Sequence, residues 1–364
     1  MGAQPVVIPE AKPVKKPFVR RAKPDSTQRV RLAVQLAFAA LNAWLGLQFY
    51  LWVRFYEHGG TGPAMPRPNG VEGWLPIAGL MNLKVLVMTG HVPAIHPAAM
   101  FLLIAFLLIS ALAKKSFCSW LCPVGTLSEY LGKLGERIFK RRFRMPRWLD
   151  IPLRGLRYLL LGFFVYLIAT MSAAMLEEFM QTPYGLIVDV KMLNFFRDMS
   201  ETAAIVILAL VVLSVVVENV WCRYLCPYGA LMGLVSLLSP LKIRRNAEAC
   251  INCGKCSRVC PAGLKVGTLV QIRSVECTAC MECVAICPAE NALQFSLPQR
   301  ETAEALPRYR RAVTPLAMAA LLAGVFFGVV LFARATNHWR TDVPGAVYQQ
   351  LVPNANMAKH PGME

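Results

Sequence analysis

The chemistry of this chain is concentrated in twelve cysteines, each in a motif that ends in Cys-Pro. Two runs are complete: Cys250, Cys253, Cys256 and Cys260 before Pro261, and Cys277, Cys280, Cys283 and Cys287 before Pro288. This C-x2-C-x2-C-x3-C-P spacing is the bacterial pattern that holds [4Fe-4S] clusters, because each iron takes one soft thiolate and short turns bring three sulfurs together. In that pattern the fourth cysteine crosses over. One cluster would take Cys250, Cys253, Cys256 and Cys287, and the other Cys277, Cys280, Cys283 and Cys260. Structural zinc uses cysteine pairs parted by a spacer, whereas these are uninterrupted four-cysteine runs, duplicated.

The remaining four cysteines form two shorter motifs, Cys118-x3-Cys122-Pro123 and Cys222-x3-Cys226-Pro227. They belong to an internal repeat: Phe117 to Leu127 matches Trp221 to Leu231 at an offset of 104 residues. Each copy follows an apolar stretch, so the two halves share orientation, and a pseudo-two-fold along the membrane normal would gather Cys118, Cys122, Cys222 and Cys226 at one membrane surface. Proline after the second cysteine suits the first turn of a helix, with an interfacial helix over Leu127 to Phe139. Gly125 and Gly229 permit close backbone approach. An iron-sulfur centre, copper or zinc on the same soft ligands, a bare redox-active dithiol and unligated structural thiols all fit these four residues.

The elements that must position these motifs are membrane helices. The chain has 364 residues, 56% of them hydrophobic and 16% charged, against roughly 25% charged in soluble domains. Five stretches approach the ~20 apolar residues that a bilayer requires: Leu32 to Val53, Pro97 to Ala113, Tyr158 to Leu176, Thr202 to Val217 and Ala312 to Ala333. The expected fold is an all-α polytopic membrane protein with five transmembrane helices and an inserted ferredoxin-like α+β domain for two [4Fe-4S] clusters. Its parts are a basic tail (1–31), a four-span domain (32–241), the ferredoxin-like domain (242–300), and a fifth helix with a short tail (301–364). The tail reads as disordered and the first span as an uncleaved anchor. Gly324-x3-Gly328 in the last span is a helix-packing motif.

Lysine and arginine set the orientation. Segments 1–31, 114–157 and 218–311 hold 8, 11 and 12 of them, and segments 54–96, 177–201 and 334–364 hold 3, 2 and 3, a split of 31 against 8. Basic segments stay inside. The N-terminus and all twelve cysteines are therefore expected on the cytoplasmic side of a bacterial inner membrane, where disulfides are disfavoured, and the C-terminus on the periplasmic side. The formal charge of +18 flanks the spans, so anionic lipid accounts for it and nucleic acid is not an expected partner.

All five histidines, His58, His91, His96, His338 and His360, fall on the expected outer side. His91 and His96, next to the apolar loop Gly70 to Thr89, are candidates for a quinol or metal site, since a group near the headgroup must accept protons as electrons leave. Glu177, Glu178 and Asp189 lie outside the third span. Glu218, one turn before Cys222, is placed to tune the cysteine site or carry a proton.

With the double [4Fe-4S] segment following two C-x3-C-P motifs at span ends, residues 30–300 resemble the membrane-bound polyferredoxins of the NapH, NosR and CcoG type, closest to a bare NapH-like core. The resemblance implies electron transfer between the clusters and the quinone pool or a periplasmic redox partner. The NosR type carries an N-terminal flavin-binding domain and the CcoG type a larger periplasmic domain, neither of which is seen here. A quinol dehydrogenase, a copper-reducing assembly factor and a redox sensor are the function classes this leaves.

Overall fold

The computed structural model describes residues 21, 25–62, 65–141, 143, 145–298 and 312–361. The expected disordered tail lies outside the described residues except at Arg21 and from residue 25 onward. Helix α1 (Thr27–Glu57) is followed by a 3-10 turn at Asn69–Trp74 and by α2 (Pro76–Thr89). The stretch read as an apolar loop is thus helical over most of its length. Its residues alternate too little between polar and apolar to advertise an amphipathic helix, and Pro76 at the first turn starts it.

Helix α3 (Pro97–Ala113) forms the hub, with twelve of its seventeen residues buried. It packs against α2, against α14 (Pro315–Ala335) near the end of the chain, and against the helix that follows the second cysteine motif. The first cysteine motif occupies α4 (Phe117–Trp120), and α5 (Pro123–Phe139) starts on its proline. Next come α6 (Arg147–Thr170), α7 (Ala173–Gln181), α8 (Pro183–Leu186), α9 (Val188–Arg197) and α10 (Glu201–Val216). The third apolar stretch, expected over Tyr158 to Leu176, therefore begins eleven residues earlier and stops at Thr170. There Ser172 caps α7 by accepting from the Met175 N–H, ending one helix and starting another.

A π turn at Trp221–Leu225 carries Cys222, and α11 (Pro227–Val235) starts on the second motif's proline. The repeat packs reciprocally. Helix α5, which follows the first motif, lies on α10, and α11, which follows the second, lies on α3. Close approach is built in at Gly135, where a Cβ would collide with the Val215 carbonyl.

The ferredoxin-like segment pairs β1 (Lys242–Arg245) antiparallel with β2 (Leu293–Ser296), Lys242 opposite Ser296 and Arg245 opposite Leu293. Between them lie α12 (Lys255–Val259) and α13 (Glu282–Ala285). A bridge from Ser296 to Ala312 leads into α14, and α15 (Gly345–Leu351) folds back beside α1, its Tyr348 ring edge-on to Trp52 with centroids 4.9 Å apart.

Helices α1, α6 and α14 are long and apolar enough to cross a membrane. The other two expected spans are shorter: α3 has 17 residues, and α10 has 16 and meets α9 at an 80° bend. Neither Gly324 nor Gly328 has a neighbour within reach of a Cβ, so the small-residue motif packs against nothing among the described residues.

The ends of the bundle differ in chemistry. Gln28 near the start of α1 donates to the Cys280 carbonyl (3.0 Å), so α1 begins at the ferredoxin segment and runs to His58 at the far end. At that far end Arg67 binds both Glu72 (2.8 Å) and Asp189 (2.6 Å), and His96 Nδ1 lies 3.1 Å from Glu72 Oε1. Burial alone would raise the Glu72 pKa, but Arg67 and His96 more than reverse this and hold it at about 2. Removing Arg67 would strand two fully buried carboxylates. Arg67→Met should cost about 3–5 kcal/mol, whereas Arg197→Ala, which breaks a partly exposed pair with Glu57, should cost under about 1 kcal/mol; thermal unfolding in detergent measures both. Because the Glu72 pKa is depressed from its ordinary 4.5, the contribution of Glu72 should be complete above about pH 4.5 and fade as pH falls towards 2. Glu72→Gln should flatten that acid limb.

Candidate functional site: three cysteine groups and a large cavity

The twelve cysteines are free thiols, and they stand in three groups of four. Cys250, Cys253, Cys256 and Cys287 line one small cavity, and Cys260, Cys277, Cys280 and Cys283 line another. The fourth cysteine of each run therefore stands with the first three of the other. Burial separates the groups: Cys277, Cys280 and Cys283 are buried, whereas Cys253 is exposed. Backbone N–H groups of Ala279 and Glu282 lie against the sulfurs of Cys277 and Cys280, and Cys287 Sγ donates to the Ala289 carbonyl (3.6 Å).

The third group is Cys118, Cys122, Cys222 and Cys226, which all line one end of a large cavity of about 940 Å³. Their thiols lie near enough to act on one another electrostatically across the two copies. Local structure explains the placement. Cys122 and Cys226 are the N-cap residues of α5 and α11, with proline next in the chain. The Gly229 N–H donates to Cys226 Sγ (3.3 Å), whereas the Cys122 sulfur lies near the Gly125 and Val124 N–H groups without a cap bond of that kind. A helix N-terminus favours an anion at that position. Gly125 is obligatory, since a Cβ there would strike the Cys118 carbonyl, whereas at Gly229 the nearest atoms are 3.3 Å away or more.

Burial pushes the Cys118 thiol up to about 12 and the Cys122 thiol to about 11, with Cys222 also well above its ordinary value. A redox-active dithiol needs the opposite, a thiolate near neutral pH. Four half-buried thiolates at one place are stable only against compensating positive charge, which a bound metal or cluster supplies, and which Lys115, 3% exposed and beside the group, adds to. Among the described residues no three His, Cys, Asp or Glu side chains are gathered tightly enough for a single metal ion. The sulfurs instead ring open spaces and receive N–H donors, and this donor set fits an iron-sulfur cluster.

The cavity runs from these cysteines along the bundle to Arg67, Trp339 and Arg340 at the far end. Pro261, Ala262, Thr278 and Cys280 form part of its wall and also line the Cys260–Cys277–Cys280–Cys283 space. Two short stretches of chain thus border both spaces. The Cys250 group shares no lining residue with the large cavity.

Neither candidate histidine lines the cavity. His96 is fully buried as the N-cap of α3, between Glu72 and the Gly185 carbonyl (2.9 Å), and His91 lies at the surface, 2.5 Å from Glu177. Asp189, expected outside a span, is the buried partner of Arg67. Glu218 packs against Gly132 of α5. The residues that sequence reasoning passed over are Arg157 and Glu276, a buried ion pair on the cavity wall. The signal for Arg157 was its position directly before an apolar run, where a charge needs a reason.

Comparisons with known proteins agree with this arrangement. A family described as a 4Fe-4S binding domain matches residues 95–146 and again 202–246, one match per copy of the repeat, and a 4Fe-4S dicluster domain matches residues 242–288. YccM, a candidate electron transport protein of Escherichia coli K12, is 50% identical over 330 residues, 91% of each chain. The ferredoxin-type protein NapH of the same organism is 30% identical over 218 residues, 57% of this chain and 70% of its own. The regulatory protein NosR of Pseudomonas aeruginosa is 30% identical over 165 residues, 44% of this chain and 22% of its own. No solved structure matches. With paired C-x3-C-P turns, a following dicluster segment and a relative alike along nearly its whole length, the chain belongs to the NapH/NosR-type family of polyferredoxins.

Proposed function

We propose that this is a membrane-bound electron-transfer protein that oxidises quinol from the bilayer and delivers the electrons to two [4Fe-4S] clusters on the cytoplasmic side. The observation that carries this reading is the large cavity, which is apolar along the membrane helices, ends on four cysteines, and shares a wall with the next cysteine group. The names of YccM and NapH, for electron transport and for a ferredoxin-type protein, point the same way.

In this reading Cys250, Cys253, Cys256 and Cys287 hold one cluster, Cys277, Cys280, Cys283 and Cys260 the second, and Cys118, Cys122, Cys222 and Cys226 a further iron-sulfur or metal centre. Such groups supply one-electron carriers at fixed positions. Quinol releases two electrons and two protons per molecule, so the protein must accept the electrons singly. The chain's own contribution is spacing and protection. Phe106, Phe117 and Tyr228 wall the four-cysteine end of the cavity with aromatic rings, and Lys115 offsets thiolate charge. Helices α3 and α10 complete a five-span domain: α3 is shielded from lipid by its neighbours, so a length of 17 residues suffices.

Three experiments test the reading. In proteoliposomes, a short-chain quinol should bleach the visible absorption of the clusters, and Cys222→Ala should stop this while both ferredoxin-type EPR signals persist under dithionite. Bleaching that is indifferent to Cys222 would remove the four-cysteine centre from the path. Cys260→Ala should impair the cluster of the Cys277 run and leave the Cys250-run cluster intact; loss of the latter instead would refute the crossed ligand sets. A reporter active only in the periplasm should work when fused after Glu364 and fail at Gln299, and equal activity at both junctions would sink the five-span topology.

A further inference from the structure

We infer that Arg157 is the residue that binds a quinone headgroup oxygen at the four-cysteine end of the large cavity, an assignment that rests on the quinol reading above. Arg157 projects from α6, lines the cavity with Cys118 and Cys222, and is 1% exposed. Its Nη2 donates to the Glu276 carboxylate and to the Tyr158 hydroxyl (3.1 Å). Its Nε and Nη1 are fully buried and have no hydrogen-bond partner among the described residues. Buried guanidinium donors are not left bare in a working site, because their lost hydration must be replaced. What replaces it must bring an acceptor, and a quinone carbonyl or quinol hydroxyl oxygen does so without adding charge to a region already lined by four cysteines, Lys115, Arg223 and Glu276.

Two further observations favour this end of the cavity for a headgroup. The cavity supplies the rest of a quinone site: the Phe106 and Phe117 rings, stacked on each other at 3.9 Å, form part of its wall at this end, and Leu41, Leu45, Phe327 and Val330 continue it with apolar surface for an isoprenoid tail. Finally, the polar residues at the cavity's other end are too remote from the cysteines. Helix α3 alone separates the two ends with 17 residues, about 25 Å at 1.5 Å per residue, so a ring held near Arg67 could not pass electrons directly to the four-cysteine group.

The test uses the full-length protein in detergent, with decylubiquinone as the binding probe and decylubiquinol as the reductant. Trp221 lines the cavity, so quenching of tryptophan fluorescence reports binding, and cluster bleaching reports turnover. Arg157→Met should weaken binding and raise KM by about 10- to 100-fold, the range for one hydrogen bond from a charged donor. The kcat should stay within a few-fold, with iron content and EPR signals unchanged. Arg157→Lys, which keeps one donor, should fall between. Because Arg157→Met leaves Glu276 buried alone, the double variant Arg157→Met/Glu276→Gln restores neutrality and should show the same binding defect. Unchanged binding in these variants, with wild-type protein binding the quinone, would overturn the assignment and leave the quinol reading standing. Loss of the four-cysteine signal in both Arg157→Met and the double variant would overturn it as well, by placing Arg157 in the thiolate site. Wild-type protein that neither binds nor is reduced would bring down the quinol reading and this assignment together.

Discussion

Everything in this architecture depends on how the ferredoxin-like segment is held against the two cysteine turns of the membrane domain. The grip is made on backbone carbonyls. From the first turn, Ser119 Oγ donates to the Thr278 carbonyl (2.6 Å) and Trp120 Nε1 to that of Ala279 (3.1 Å); Lys114 Nζ reaches Ser274 (3.2 Å) and Gln28 reaches Cys280 (3.0 Å). From the second turn, Arg223 reaches the Pro261 carbonyl (3.5 Å) while its other nitrogen is fixed by Asp150 of α6 (2.9 Å). Pro261 and residues 278–280 all border the space ringed by Cys260, Cys277, Cys280 and Cys283. Both copies of the repeat thus hold the same cysteine group, and its distance from the four-cysteine end of the cavity is set by hydrogen bonds rather than by a flexible linker. Electron transfer falls steeply with separation, so a fixed distance is what such a protein has to provide.

Charge reinforces the joint. Arg31 of α1 is 2% exposed and pairs with Glu129 of α5 (2.5 Å) and with Glu282 (3.3 Å), which lies between Cys280 and Cys283; Lys133 joins them. Breaking one member of such a buried network leaves an uncompensated charge, which is far costlier than the network's net contribution to stability. The network therefore acts chiefly as a register: the segment sits at one position against α1 and α5 or pays the cost of a stranded ion. The copies of the repeat are unequal in consequence. The first turn is α-helical and docks through side-chain hydroxyl and indole donors, while the second is a π turn that places Arg223 and Tyr224 on Asp150.

What was legible in the sequence is the part fixed by covalent spacing. Cysteine runs, the prolines that start α5 and α11, and the 104-residue repeat are local or periodic, and local chemistry determines them. What was not legible depends on tertiary partners. Helix α3 reads like any apolar span because a helix that is apolar all round looks the same in lipid and at the centre of a bundle. Arg67 and Arg157 counted as loop charges, since nothing in the chain announces that Asp189 or Glu276, over a hundred residues away, will be beside them. The start of α6 was hidden by Asp150, Pro152 and Arg154, polar and helix-breaking residues that are tolerated because Asp150 is consumed by Arg154, Arg223 and Tyr224. Gly324 and Gly328 meet no neighbour among the described residues, because small residues allow helix contact but do not cause it.

The two ferredoxin-type groups differ in a way that bears on the direction of flow. Reduction adds one negative charge, and burial in low dielectric disfavours charge. The group of Cys277, Cys280 and Cys283 is buried against the membrane domain, whereas Cys253 is exposed at the other, where Lys255 and Arg258 follow in the same turn. For clusters of one type, water and nearby cations stabilise the reduced form, so the outer group should have the higher potential. In the proposed relay, and with the shared wall between the large cavity and the buried group, such a gradient would lead electrons from the membrane to the exposed cluster. The same burial that raises the barrier to reducing the inner cluster also keeps it from water and from unselective reaction, so its low exposure serves the relay even though it disfavours the charge that the relay must carry.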